Sequence, residues 1–393
     1  MAANGRRPIR HNRVLAPISF FMGWFATELS WPFIVLNTIR SAVAVRRGAH
    51  RTAEGRAALA AQAVATASGI SFIVEGRRTT EQFEAALAPY LSQEDLAARP
   101  SSMRLGEWLP VLYGGRGRRM RTRDVRFPTH DGGSLRLDVY SPTTGAEPGA
   151  KLPVVIQVHG GGWVIGDKRE QGVPLLNHLA ANGWVGFNVN YRLSPAVKSP
   201  AHLIDVKSAI AWVREHADEY GGDPDFICIT GGSAGGHLVA MAALTQNDPE
   251  YQPGFEDRDT SVQAAVPIYG VYDLVDEAGN MMPGFRDTFI APVVVGRKYA
   301  TDPEAFERYS PLYRTSAAAP PMMMVAGSRD ALVPIEASRP FARRLAEVSE
   351  HAVIWVELLG AQHAYEIFPS PRTVRAVEFV ERFLDGVRRG VIK

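Results

Sequence analysis

The stretch Gly231-Gly232-Ser233-Ala234-Gly235-Gly236 has the residue types and spacing of a reactive turn. It follows an apolar run at 226–230 and opens a segment, 237–244, with helical character. A serine on so tight a strand-to-helix turn is held clear of its neighbours, and glycine is needed at flanking positions such as Gly231 and Gly235 because side chains there would strike the packed strand and helix. The helix N-terminus beneath the turn favours negative charge developing near the hydroxyl. A plain glycine turn needs neither the strand before it nor the helix after it.

A second glycine cluster, His159-Gly160-Gly161-Gly162-Trp163, stands directly after the apolar run 154–158. Attack of a hydroxyl on an acyl carbonyl creates an oxyanion, which needs backbone N–H groups aimed at one point in a dry site. Gly161 and Gly162 are the expected donors, with Ala234, the residue after the serine, as a third. Losing one such donor costs about 2.7–4 kcal/mol of barrier. A phosphate-cradling loop would also use glycines, but here there is no P-loop lysine and no GxGxxG spacing. His159 reads as an organiser of this loop, and Gly160 as part of its turn.

A serine hydroxyl needs a base, and the base needs a carboxylate to fix its tautomer. His363, in Gly360-Ala-Gln-His-Ala-Tyr365, follows the apolar run 354–358. Asp330, in Gly327-Ser-Arg-Asp-Ala-Leu-Val333, follows the run 322–326. Both positions fall where loops leave the C-terminal ends of strands, the edge at which functional groups gather. Asp205 and Asp273 are the alternative acids. Asp205 begins a helical segment and reads as a cap or structural partner, while Asp273 falls in a loop-rich insertion. His216 and His237 fall on helices, and His178 and His202 read as surface or packing residues.

The elements that must carry these residues are legible from 116 onward. Alternating segments at 124–127 and 135–140 flank His130-Asp-Gly-Gly133 and read as a hairpin. Apolar runs at 154–158, 185–190, 226–230, 264–269, 322–326 and 354–358 alternate with helical segments at 203–220, 237–244, 334–348 and 372–388. Continuous apolar strands separated by helices predict an α/β fold, a mostly parallel sheet covered on both faces. Residues 271–316, with several Pro and Gly, are expected to be a cap insertion. Residues 1–115 read as a separate helical segment, joined to the catalytic part by a Gly- and Arg-rich connector at 113–123.

The N-terminus itself admits three readings. Arg6, Arg7, Arg10 and Arg13 precede a largely apolar stretch at 14–39, and Arg40, Arg46 and Arg47 follow it. Pro17, Glu28 and Pro32 interrupt that stretch, which argues against a transmembrane helix. Ala42-Val43-Ala44 has the letters of a signal-peptide site but stands too far downstream, beyond Arg40. Arg6-Arg7 alone is weak as a twin-arginine signal. Amphipathic helices that cap the site or make peripheral contact with a membrane surface are the preferred reading. Phe20, Phe21, Trp24, Phe25 and Trp31 would supply the lid, and deletion of 1–50 is expected to change acyl preference more than folding. The chain is then expected in the cytoplasm or at the membrane or cell envelope.

Of the 393 residues, 46% are hydrophobic and 21% charged, enough for a large core. The net charge of +2 gives no reason to expect nucleic acid as a partner. A single cysteine, Cys228, within an apolar run, excludes an internal disulfide and a thiolate metal cluster. No metal or cofactor is expected, and the expected partner is a small-molecule or lipid ester.

At these residues the chain resembles the hormone-sensitive-lipase-like group of α/β-hydrolases, over roughly 120–390. The resemblance rests on His159-Gly-Gly-Gly162, Gly231-Gly-Ser-Ala-Gly-Gly236, the Tyr191-Arg192 pair, and the Asp330 and His363 loops. It implies Ser233, Asp330 and His363 as a triad, Gly161, Gly162 and Ala234 as oxyanion donors, and a cap built partly from the N-terminus. Gly23-Trp24-Phe-Ala-Thr-Glu-Leu29 and Gly360-Ala-Gln-His-Ala-Tyr365 are similar to a narrower branch, the actinobacterial Lip-type carboxylesterases. The implied function is serine carboxylesterase or lipase action on short- to medium-chain esters. Trp163 departs from the phenylalanine common at that position and resembles arylformamidases and feruloyl-type esterases. An amidase or arylformamidase with the same triad is therefore the alternative. A non-catalytic receptor on the same fold would be expected to lack a triad residue.

Overall fold

The computed structural model describes residues 2–10, 12, 14–97, 120–142, 149–368 and 370–393. The domain boundary expected at 115/116 and residues 113–119 of the connector lie outside them. The rest of that connector, 120–123, is the start of a strand.

Eight strands form one sheet in the order β1-β2-β4-β3-β5-β6-β7-β8. They are β1 (Met120–Pro128), β2 (Ser134–Tyr140), β3 (Leu152–Val158), β4 (Val185–Val189), β5 (Gly222–Gly232), β6 (Ala264–Ile268), β7 (Met322–Gly327) and β8 (Val353–Leu358). β1 and β2 form the expected hairpin, β2 pairs antiparallel with β4, and every later pairing is parallel.

Helices connect the strands and cover both faces. The N-terminal part holds α1 (Ala2–Arg6), α2 (Leu15–Glu28), α3 (Ser30–Arg46), α4 (Ala53–Arg77), α5 (Thr79–Leu87) and α6 (Gln93–Leu96). The remainder are α7 (Val173–Ala181), α8 (Ala201–His216), α9 (Ala234–Leu244), α10 (Pro303–Arg308), α11 (Ile335–Val348) and α12 (Pro371–Arg388).

The strands read as unbroken apolar runs because each feeds two cores. On β3, Val154, Ile156 and Val158 enter the core under α8, α9 and α11. Val155 points to the opposite core, formed with α5, α7 and α12. β5 divides in the same way, with Ile227 and Ile229 on one side and Cys228, fully buried, on the other. Such two-sided burial is what a parallel sheet between helical layers requires.

The N-terminal helices do not stand apart from this core. Phe83 of α5 stacks on Phe379 of α12 with ring centroids 5.1 Å apart. Residues 271–316 are loop-rich and contain a wide helical turn, Arg286–Val295, and α10. α2 and α3 meet at a bend of 79°. α3 and α4 pack on each other as a hairpin. These two are not amphipathic in the ordinary sense, because apolar residues such as Val35, Leu36, Ile39, Val43 and Val64 face solvent.

Candidate active site

Ser233 stands at the end of β5 and the start of α9, with φ 59° and ψ −122°. A non-glycine residue at positive φ is strained and persists only where its surroundings over-determine it. Here the Ser233 N–H donates to the Ile268 carbonyl at 3.0 Å. Gly235 faces the carbonyls of Val158 and His159 so closely that any Cβ would collide with backbone, which is why this turn tolerates no side chain there. The serine is half-buried.

The loop after β3 folds back against this elbow. A Cβ on Gly160 would lie 3.0 Å from Ser233 Cβ. Gly161 has φ 114°, a conformation only glycine adopts readily. The Gly161 carbonyl accepts the N–H groups of Val164 and Ile165, both at 3.1 Å, and Gln171 Oε1 accepts the Gly160 N–H at 2.7 Å. Among the described residues, no protein acceptor takes the N–H of Gly161 or Gly162. Phe289, in the segment 271–316, approaches Gly162.

His159 organises the loop rather than facing the serine. Its Nδ1–H donates to the Gly160 carbonyl at 2.8 Å, and its ring stacks on Tyr191 at 4.4 Å. Burial lowers its pKa. Trp163 is also buried and packs edge-on against His237 at 5.1 Å. It is a core residue, so its departure from phenylalanine carries no direct information about the substrate.

The Asp330 and His363 loops leave β7 and β8 side by side. His363 Nδ1–H donates to Asp330 Oδ2 at 2.6 Å, with both side chains buried. Asp330 Oδ1 accepts the N–H groups of Leu332 and Val333, each at 2.8 Å. Gln362 ties the loops together, because its Oε1 accepts the N–H groups of Ala331 at 2.7 Å and His363 at 3.0 Å. Tyr269 relates this pair to the elbow. Its ring is 4.5 Å from the His363 ring, and its hydroxyl fills the space beside Gly232. That hydroxyl donates to Glu366, whose pKa burial raises. No hydrogen bond joins the Ser233 hydroxyl to His363 in this structure; catalytic bonds of this kind often tighten only with substrate bound.

The alternative acids are placed elsewhere. Asp205 is buried inside α8 and accepts from the Arg192 guanidinium at 2.7 Å and from the Arg192 N–H at 2.9 Å. It is a structural partner, as expected, but not a cap. Asp273 accepts the Val275 N–H at 2.9 Å. His178 is buried and bonded to Glu381 at 2.7 Å, and His202 is bonded to Ser194 at 3.1 Å. Among the described residues, no group of three His, Cys, Asp or Glu side chains is placed to hold a metal ion.

Helix α2 closes over the His363 loop. The Phe20 ring meets His363 edge-on at 6.0 Å, and the Trp24 indole N–H donates to the Ala364 carbonyl at 2.8 Å. Glu28, fully buried, accepts from the Ser370 hydroxyl at 2.7 Å and the Arg372 guanidinium at 3.2 Å. Arg10 donates to the Ser328 carbonyl, and Arg329 pairs with Glu75 at 2.7 Å. The Asp330 and His363 loops are thus both fastened from the N-terminal helices. The sequence reading gave Tyr269 and Glu366 no role at the site; it met Glu28 and Arg10 only as features of the N-terminal apolar stretch, and Gln362 only as a letter of the His363 motif. Phe20 and Trp24 were signalled, as residues of the expected lid.

The sheet order, the elbow and the loop after β3 define an α/β-hydrolase. The BD-FAE family model matches residues 137–345. The probable carboxylic ester hydrolase LipM of Mycobacterium tuberculosis is 38% identical, covering 98% of this chain and 90% of that protein. Esterase LipC of the same organism is 40% identical, covering 79% of this chain and 76% of that protein. Among solved structures, the butyrate-bound esterase of Thermogutta terrifontis is 26% identical with a TM-score of 0.58, covering 71% of this chain and 96% of that one. The same esterase phosphorylated by paraoxon has a TM-score of 0.57 at 26% identity, covering 70% and 96%. The chain belongs to the hormone-sensitive-lipase-like carboxylic ester hydrolases, in their Lip-type branch.

Proposed function

We propose that the chain hydrolyses short- to medium-chain carboxylic esters by two-step acyl transfer, with Ser233, His363 and Asp330 as its triad. His363 takes the Ser233 proton as the hydroxyl attacks the ester carbonyl. The N–H groups of Gly161, Gly162 and Ala234 hold the oxyanion. His363 then protonates the leaving alcohol, and water activated by the same histidine releases the acid and frees Ser233. Asp330 keeps Nδ1 protonated, leaving Nε2 as base, and stabilises the imidazolium. The observation that carries this reading is the buried His363–Asp330 pair beside the strained Ser233 elbow.

Residues 1–115 are read as a helical segment that caps the site or touches a membrane surface, and 116–393 as the catalytic domain with a cap insertion near 271–316. The contacts of Phe20 and Trp24 support the capping role. The exposed Leu15, Ile18 and Phe21 on the same helix support the surface contact.

The test is hydrolysis of p-nitrophenyl esters from acetyl to palmitoyl by wild type and Ser233→Ala, with a matched amide alongside. Turnover should peak at a short or medium chain and fall roughly 10⁶-fold in the variant. Paraoxon should add its phosphoryl group to the Ser233 peptide, read by mass spectrometry. Residual full turnover in Ser233→Ala, or an adduct on another residue, would overturn the assignment.

A further inference from the structure

The α3–α4 hairpin has the polarity of a soluble helix pair reversed. Trp31, Phe33, Val35, Leu36, Ile39, Val43 and Val45 are exposed on α3, and Val64, Ile70 and Val74 on α4. The α3 positions cover most of the circumference turned away from α4, with Thr38, Arg40 and the terminal Arg46 as the exposed polar exceptions. A helix resting flat on a membrane would need a broad polar face, and α3 has none. Polar side chains also meet across the pair. The Ser41 hydroxyl donates to Gln62 Oε1 across the pair at 2.6 Å, and Gly69 lets Ile34 approach closely. Small residues and interhelical hydrogen bonds at the contact are how helices associate in lipid.

The dimensions and charges agree. Residues 57–74 of α4 carry no charge. The membrane-length apolar window starting in this helix is only 11% buried, so the protein core does not account for it. The 17 residues of α3 span about 25 Å, close to the roughly 30 Å hydrocarbon thickness. Arg46, Arg47, Arg51 and Arg56 surround the turn, while Arg77 and Arg78 bound the root, where Trp31 also stands. Arg40 lines the same groove near the turn as Arg47, so its charge reaches toward that end. Glu28, which interrupted the apolar stretch in the sequence, is not in the hairpin but buried before the bend, against Arg372.

We propose that α3 and α4 form a lipid-inserted hairpin that crosses the hydrocarbon core. Its arginine-rich turn lies among anionic phosphate headgroups on one side, and the catalytic domain is held on the other. This goes beyond surface contact by the cap and is independent of the triad assignment.

The test uses the full chain reconstituted from detergent into phosphatidylcholine–phosphatidylglycerol vesicles. Cys228 is buried, so an Ile39→Cys variant can be labelled selectively with an environment-sensitive fluorophore. The label should be quenched more by nitroxide near the lipid chain ends than by nitroxide near the headgroups. The variant Val35→Glu/Ile39→Glu/Val43→Glu should keep p-nitrophenyl butyrate turnover within about twofold but lose at least roughly tenfold of its alkali-resistant flotation with vesicles. Stronger shallow than deep quenching, or unchanged flotation of the triple variant, overturns the proposal. So does a wild type that stays off the vesicles as a dimer, which would make a second copy the occupant of this face. Ser233→Ala should float like wild type, so a failure of the esterase reading leaves this result intact.

Discussion

The Asp330 carboxylate divides its oxygens between two duties, one toward the backbone of its own loop and one toward His363. An Asp330→Asn side chain can still accept the Leu332 and Val333 N–H groups, but it presents N–H to His363 and forces the tautomer with a proton on Nε2. The expectation is a fall in kcat of about 10⁴-fold with a melting temperature close to wild type. Steady-state kinetics beside calorimetry checks this, and a variant retaining more than a tenth of wild-type kcat would remove Asp330 from the triad. Residues of this kind were readable because backbone geometry demands them in runs: the glycines around Ser233 and Gly161 leave a mark several letters long. Tyr269 and Glu366 left none, since each acts singly through a contact made only on folding. Glu366 lies within three residues of His363, but nothing in its letter distinguishes a buried carboxylate from a solvated one.

Helix α2 shows how an element can serve a site to which it contributes no reacting atom. It delivers Glu28 to Arg372, and both are buried. Breaking a buried pair costs about 3–5 kcal/mol because one charge is left unpaired. Glu28→Gln should therefore lower stability by that amount in urea unfolding, whereas replacing Glu28 and Arg372 together by apolar residues should cost less. A loss below about 1 kcal/mol for Glu28→Gln would mean that water reaches Arg372. The same contact revises the expectation for deletion of 1–50, which would remove Glu28 and uncover the His363 loop. Impaired folding and turnover are now expected, rather than a change of acyl preference. Strand elements were legible because two-sided burial makes them continuous apolar runs. The α3–α4 hairpin was not, because Pro17, Glu28 and Pro32 read as interruptions of one helix. Pro17 and Pro32 instead lie in the first turns of α2 and α3, and Glu28 closes α2 just before the bend between them.

Across the whole molecule, burial keeps several histidines neutral. It lowers His237 to about 4 and His202 to about 3, and it lowers His159 as well. A histidine depressed from 6.5 binds more protons unfolded than folded, so its contribution is complete above about pH 6.5 and is lost as pH falls toward 4. Each such group steepens the loss by up to about 1.4 kcal/mol per pH unit. Buried carboxyls such as Asp205 and Glu366, raised by burial, act in the opposite sense. A His237→Gln variant, able to keep a donor toward Tyr309, isolates the histidine: its stability deficit relative to wild type should shrink between pH 7 and pH 5. A deficit constant over that range, by urea unfolding at each pH, would show that His237 is not held neutral. The tie between Glu28 and Arg372 also joins residues 344 positions apart. At about 5–20 residues per second of synthesis, the first partner leaves the ribosome on the order of tens of seconds before the second. The nascent chain therefore carries Ser233 and the glycine loop after β3 before the His363 loop can be fastened to α12. Ester hydrolysis is expected only once α12 has been made, and a product that stops short of α12 should be inactive.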